Sequence, residues 1–184
     1  GPGVADRKEF EALFAAEEYD KAAELYRERD LQQIQSLDDY KAFLDIQSAL
    51  ADESADYALV ISKLKVLQQR GFAPDGWQSS VAAWVSYATG RQAESVGDYD
   101  VAVTAYEQAG GTADSVARLE VCLQLKRQTS EVTANRLLQE GQLEQSAEKV
   151  QQAKELYAAL GKTDKVALCN QALADIAAAQ QYAE

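Results

Sequence analysis

The chain contains no histidine and no methionine, and only two prolines and two cysteines among 184 residues. Each shortage excludes something. Without histidine there is no Ser-His-Asp triad, no His-ligated zinc and no side chain that ordinarily titrates near neutrality. The cysteines, Cys122 and Cys169, form no CxxC pair, and each sits among apolar residues in a helical pattern. They are expected to be free, buried thiols acting as small hydrophobes rather than a disulfide. That fits a reducing compartment such as the cytoplasm and also tolerates an oxidising one. No apolar run approaches the roughly 18 residues that a membrane-spanning helix needs. Gly110-Gly111-Thr112 lacks the lysine of a phosphate-binding loop. The start Gly1-Pro2-Gly3, with no methionine anywhere, leads us to expect a tag-cleavage scar over 1–3 and a fragment of a longer protein.

What is present is helical and acidic. Hydrophobic residues make up 47% of the chain and charged residues 26%, the balance of a folded domain rather than a disordered one. Thirty acidic residues against 18 basic give a net charge of -12. A field of that sign disfavours nucleic acid and anionic lipid and suits a basic or neutral partner. With so few helix breakers, apolar residues recur at spacings of three and four. Phe10, Leu13 and Phe14 mark a first helix, and Ala22, Leu25 and Tyr26 a second. Leu31 to Leu50 and Tyr57 to Leu67 continue the pattern.

Arg70 to Gly76, with glycine and proline, is the clearest interruption. A helix over 77–96 follows, with Trp77 and Trp84 seven residues apart on one face, partly buried against the neighbouring hairpin. Residues 101–109 and 114–127 make two more. Thr129 or Ser130 is expected to cap a helix ending at Glu140, with Gly141 as punctuation. Helices over 143–159 and from Thr163 onward bring the expected number to about ten, with no convincing strand. We therefore expect an all-α chain of N-terminal helical hairpins over 4–70 and helical repeats over 77–184, the second part continuous with the first.

Three segments are alike: Ala15 to Tyr26, Ser95 to Tyr106 and Ala159 to Asn170. Each has a helix end, a four-residue turn closing on Asp20, Asp100 or Asp164, and a helix that opens with small residues. The pattern resembles the tetratricopeptide repeat (TPR) family. The closest match runs from Ala83 to Val116, where Gly90, Gly97, Tyr99, Ala102, Tyr106 and Ala109 fall on the small-residue, turn and packing positions. The first segment has Phe10 where the family has a small residue, and the last has Asn170 where an aromatic is usual. The segments begin 80 and 64 residues apart, not at multiples of the family's roughly 34. The family's closing proline is absent from every one. The turn-plus-helix segments also look like those of the soluble NSF-attachment proteins.

The resemblance implies a TPR-like α-solenoid, a right-handed superhelical stack of antiparallel helix pairs, serving as a protein–protein interaction scaffold that holds a peptide or helix of a partner in its groove. By register the groove-facing residues are Trp84, Tyr87, Arg91 and Glu94, followed by Arg118, Lys126 and Arg127, then Lys149 and Lys154. Such a basic inner surface would attract an acidic peptide, with arginine making bidentate contacts. The alternative is a structural or oligomerisation domain with no exchangeable ligand. Neither reading calls for catalysis, a cofactor or a metal. The adjacent carboxylates Glu17–Glu18 and Asp38–Asp39 do not face each other on a helix and make a poor acid–base pair.

Overall fold

The computed structural model describes residues 3–183, so Gly1 and Pro2 of the expected scar lie outside the described residues. Nine α-helices and no strand are present among them: α1 (Val4–Ala15), α2 (Tyr19–Glu28), α3 (Asp38–Leu50), α4 (Tyr57–Gln69), α5 (Val81–Ser95), α6 (Tyr99–Ala109), α7 (Ser115–Glu144), α8 (Ala147–Ala159) and α9 (Thr163–Ala183). Two short 3₁₀ turns, Leu31–Gln33 and Gln35–Leu37, lead into α3 and bury Leu31 and Leu37. Packing is mostly consecutive: each helix from α1 to α5 lies against the next, and α8 lies against α9. This is a helical-repeat, solenoid-like arrangement. Two compact units meet within α7, the first ending at Cys122 and the second beginning at Leu123.

The joints share one construction. After α1, α4, α5, α7 and α8 a residue with positive φ reverses the chain: Glu17 (62°), Gly71 (72°), Gly97 (75°), Gln145 (54°) and Gly161 (72°). In each case the next amide donates to a carbonyl five residues back, from Glu18 to Leu13, Phe72 to Leu67, Asp98 to Ala93, Ser146 to Gly141 and Lys162 to Tyr157, at 2.8–3.1 Å. That closure satisfies carbonyls the helix end would otherwise leave free. Asp20, Asp100 and Asp164 do not close these turns. They sit in the first turn of the following helix, where a carboxylate is favoured by the helix dipole.

Two sequence expectations are corrected. Residues 115–144 form one helix, not two, which is why the total is nine. The Thr129 hydroxyl donates back to the Leu125 carbonyl at 2.9 Å instead of capping a new helix, and no glycine or proline interrupts the run before Gly141. Gly141 lies inside the helix, and its missing side chain makes room for Val150 of α8: a Cβ there would stand 2.6 Å from Val150 Cγ2 and 3.0 Å from its amide nitrogen. The helix expected from Trp77 instead begins at Val81, where the Ser80 hydroxyl accepts from the Ala83 amide at 3.1 Å.

The Arg70–Gly76 interruption is not a boundary between compact units. Phe72 within it and Trp77 directly after it join Phe14 of α1 and Phe43 of α3, with ring centroids 5.2–6.1 Å apart. The Trp77 indole donates to the Tyr19 hydroxyl at 3.0 Å. Phe14 and Phe43 are fully buried, a burial worth about 1.5–3 kcal/mol for each ring. The second unit has its own core of Ala134, Val150, Ala153, Tyr157, Cys169, Ala172 and Ile176.

Candidate functional site

A cleft of about 650 Å³ opens in the first unit. Its walls are the α1–α2 joint and the start of α2, the end of α3, one face of α5, and the loop that leads into α7. On α5, Trp84, Tyr87 and Arg91 are three and four residues apart, so one stripe presents all three. A second hollow of about 520 Å³ runs on between α2 and α3 and shares Tyr19, Asp20, Gln47 and Ala51 with the first.

The side of the cleft nearest the core is a polar network. Arg91 is 4% exposed. One of its terminal nitrogens donates to the Leu50 carbonyl and the Tyr87 hydroxyl, and the other to the Tyr57 hydroxyl, all at 3.0 Å. Its guanidinium lies 5.3 Å from the centre of the Tyr57 ring and 5.7 Å from that of Tyr87. A cation this deep in protein persists only when its donors are paired, and here hydroxyls, a helix-end carbonyl and two ring faces do that. The Tyr87 hydroxyl donates onward to Asp114 Oδ1 at 2.6 Å. Asp114 receives Arg118 Nε at 2.9 Å on both oxygens. Arg118 also reaches Glu94 at 3.5 Å and Glu53 at 3.4 Å, and the Tyr106 hydroxyl donates to Glu94 at 2.6 Å.

Protonation follows from these contacts. Burial raises the Tyr87 hydroxyl's pKa, and the bond to Asp114 adds to it. Burial alone would raise the pKa of Asp114, but the Tyr87 hydroxyl and the Arg118 guanidinium outweigh it and hold the carboxyl below its usual range. Tyr19 is pushed up to about 12 by burial, against the opposing indole donor of Trp77 and with help from the charge of Glu17. Cys122 is pushed up to about 11 by burial and then by Glu94, so its thiol stays protonated at neutral pH. Both cysteines are free and buried.

The structure thus brings Trp84, Tyr87, Arg91 and Arg118 to one cleft and places Glu94 in the network beside them. It does not leave the two arginines as an open basic surface, because their donors are spent inside the chain. Five carboxylates and three cations line the cleft. The remaining expected residues belong to the second unit. Lys126 and Arg127 flank a smaller hollow of about 240 Å³ walled by Leu123, Leu156 and Leu160. Lys149 is held by Glu140 and Glu144 at 3.0 and 2.7 Å, and Lys154 is half-buried on α8.

Sequence reasoning missed Tyr57, Asp114 and the Leu50 carbonyl, which reach Arg91 and Tyr87 from 27 to 41 residues away. One signal was present: Arg91 follows Trp84 by seven residues and Ala88 by three, on the face of α5 that turns inward. Among the described residues no group of histidine, cysteine or carboxylate side chains is arranged to hold a metal ion, and no helix is long and apolar enough to cross a membrane. No protein-family model matches the chain, and no curated protein or solved structure matches it.

Proposed function

We propose that the chain is a protein-interaction scaffold whose first unit receives a segment of another protein in the cleft beside Trp84 and Tyr87. The observation that carries this reading is that the cleft is built before anything enters it. Arg91, Tyr87, Asp114 and Arg118 are tied to one another and to α3 and α4, so little side-chain freedom is left to lose on binding. A TPR-like origin is consistent with the α5–α6 pair. A Cβ on Gly90 would stand 2.5 Å from the Tyr106 ring, the close approach that the family's small residue allows.

The test is a dodecapeptide library displayed on phage and selected on the purified chain. Arg91 and Arg118 are poor positions for a control, since changing them disturbs the network itself. Ala51 is exposed at the lip shared by both hollows, so Ala51→Trp obstructs the cleft without touching that network. Selected peptides are expected to bind Ala51→Trp at least about tenfold more weakly, a loss of about 1.4 kcal/mol. Peptides that bind both forms equally place the site elsewhere, and a library that yields none overturns the scaffold reading.

A second reading, self-association, is favoured by Val132 and Leu143. They lie eleven residues apart on one face of α7 and are 67% and 79% exposed. A discrete oligomer in light scattering, lost in Val132→Lys with Leu143→Lys, supports it, and a concentration-independent monomer excludes it.

A further inference from the structure

We infer that the segment entering the cleft is basic, bringing a lysine or arginine side chain together with a backbone carbonyl. This rests on the cleft being the binding site proposed above and adds the chemistry of its occupant.

The cations of the cleft are already engaged. Arg91 is held by a carbonyl and two tyrosine hydroxyls at 3.0 Å, Arg118 by Asp114 at 2.9 Å, and Lys21 by Glu18 at 3.3 Å. An incoming carboxylate would have to compete with these contacts at the two arginines, whereas the exposed Lys21 keeps donors to spare. The lip is different. Asp20 has no ion-pair partner among the described residues, and the side chain of Glu53 is 82% exposed with a single 3.4 Å contact to Arg118. A cation arriving at such carboxylates gains charge-assisted hydrogen bonds and competes at most with the one long contact of Glu53 to Arg118. The field of the whole unit has the same sign. Residues up to Cys122 include 22 acidic and 11 basic side chains, whereas those from Leu123 on include 8 and 7. Cationic segments are therefore drawn to the first unit.

An independent observation concerns hydrogen-bond donors. Trp84 lines the cleft at 4% exposure, and its buried indole N–H has no acceptor. The side-chain amide nitrogen of Gln47, also in the cleft wall, is buried and unpartnered too. Both groups only donate. A lysine or arginine side chain, itself only a donor, cannot serve them, and neither can a polyamine; a peptide carbonyl oxygen can, once the wall side chains shift to uncover nitrogens that are sealed from solvent as the cleft stands. Acidic lip and unpaired donors together ask for a cation and an acceptor on one ligand, which a basic peptide segment supplies.

The phage selection described above tests this directly, with the tightest selected peptide then synthesised and titrated against variants. Lysine and arginine are expected to be enriched among selected peptides. Asp20→Lys should weaken the synthetic peptide at least about tenfold, and more so at low salt than at high salt. Gln47→Leu, which removes a donor at similar volume, should weaken it several-fold with little dependence on salt. Thermal melts of both variants confirm that they fold. Neutral or acidic peptides that Ala51→Trp still excludes would overturn the inference and leave the scaffold reading standing. Unchanged affinity in Asp20→Lys or in Gln47→Leu would overturn it as well. Peptides indifferent to Ala51→Trp, or no selected peptide, would remove it together with the cleft as a binding site.

Discussion

The two units solve the same problem, closing helices against one another, with different side chains. The first, ending at Cys122, holds 13 of the 15 aromatic residues, and its core is a web of edge-to-face rings around Phe14 and Phe43. The second relies on small residues: Ala134, Ala153, Cys169 and Ala172 surround Val150 and Ile176, with Tyr157 as its one buried ring. Rings fill the space between diverging helices and leave polar tips to be tied, which is how Tyr57 and Tyr87 come to hold Arg91. Small residues let helices approach closely and leave little for a network to use. Of the two units, the one built from rings also encloses a cation and carries the excess negative charge.

Core truncation should separate the units most strongly. Phe43→Ala removes a fully buried ring that meets five others and should cost about 3–5 kcal/mol. Ile176→Ala, 2% exposed among alanines, should cost about 2–3 kcal/mol. Denaturant unfolding followed by tryptophan fluorescence reports the first unit alone, since Trp77 and Trp84 both lie there, and far-ultraviolet circular dichroism reports both. Equal losses would mean that the aromatic core is no better packed than the small-residue one.

Next come the close approaches, one in each unit. Alanine is ordinarily better than glycine in a helix by about 1 kcal/mol. Gly90→Ala and Gly141→Ala should nonetheless destabilise by about 1–3 kcal/mol, because the new methyl meets Tyr106 in one case and Val150 in the other. Val150→Ala should recover part of the loss in Gly141→Ala, measured by thermal melting. No recovery would mean that the Val150 amide, 3.0 Å from the added carbon, decides the cost alone.

The smallest expected effect is alkaline. A tyrosine whose folded pKa lies above its unfolded value contributes stability that is complete below the unfolded value and lost as pH rises through the folded one. Tyr19 therefore weakens the first unit as pH rises from about 10 to about 12, and Tyr87 and Tyr106 act in the same direction. Asp114 works at the opposite end: its depressed pKa withdraws stability as pH falls below its ordinary value near 3.8. In the second unit Tyr157 is raised by burial. Tryptophan fluorescence should accordingly fail at lower alkaline pH than the helical signal as a whole. Coincident transitions would show that the two units unfold as one.

Much of this architecture was legible in residue spacing. Phe10, Phe14, Leu25 and Tyr26 were visible as inward faces, Gly97 and Gly161 as joints, and Gly90 as the small residue of its repeat, though not the Tyr106 ring it meets. All depend on neighbours three to seven residues apart, the range over which a helix repeats. Thr129 was misread as a cap because a hydroxyl can bond forward to a free amide or backward to a carbonyl, and composition does not separate the two.

The sequence by itself determined an all-helical chain, the inward face of each helix and the placing of Trp84, Tyr87 and Arg91 on one stripe of α5, because those properties are local. Only the tertiary structure decided that Arg91 and Arg118 are spent within the molecule rather than offered to a ligand. Their partners arrive from α3, α4, α5 and the loops before α4 and α7, and a cation becomes internal or available according to groups that folding brings to it, most of them far along the chain and 3.0–3.5 Å away.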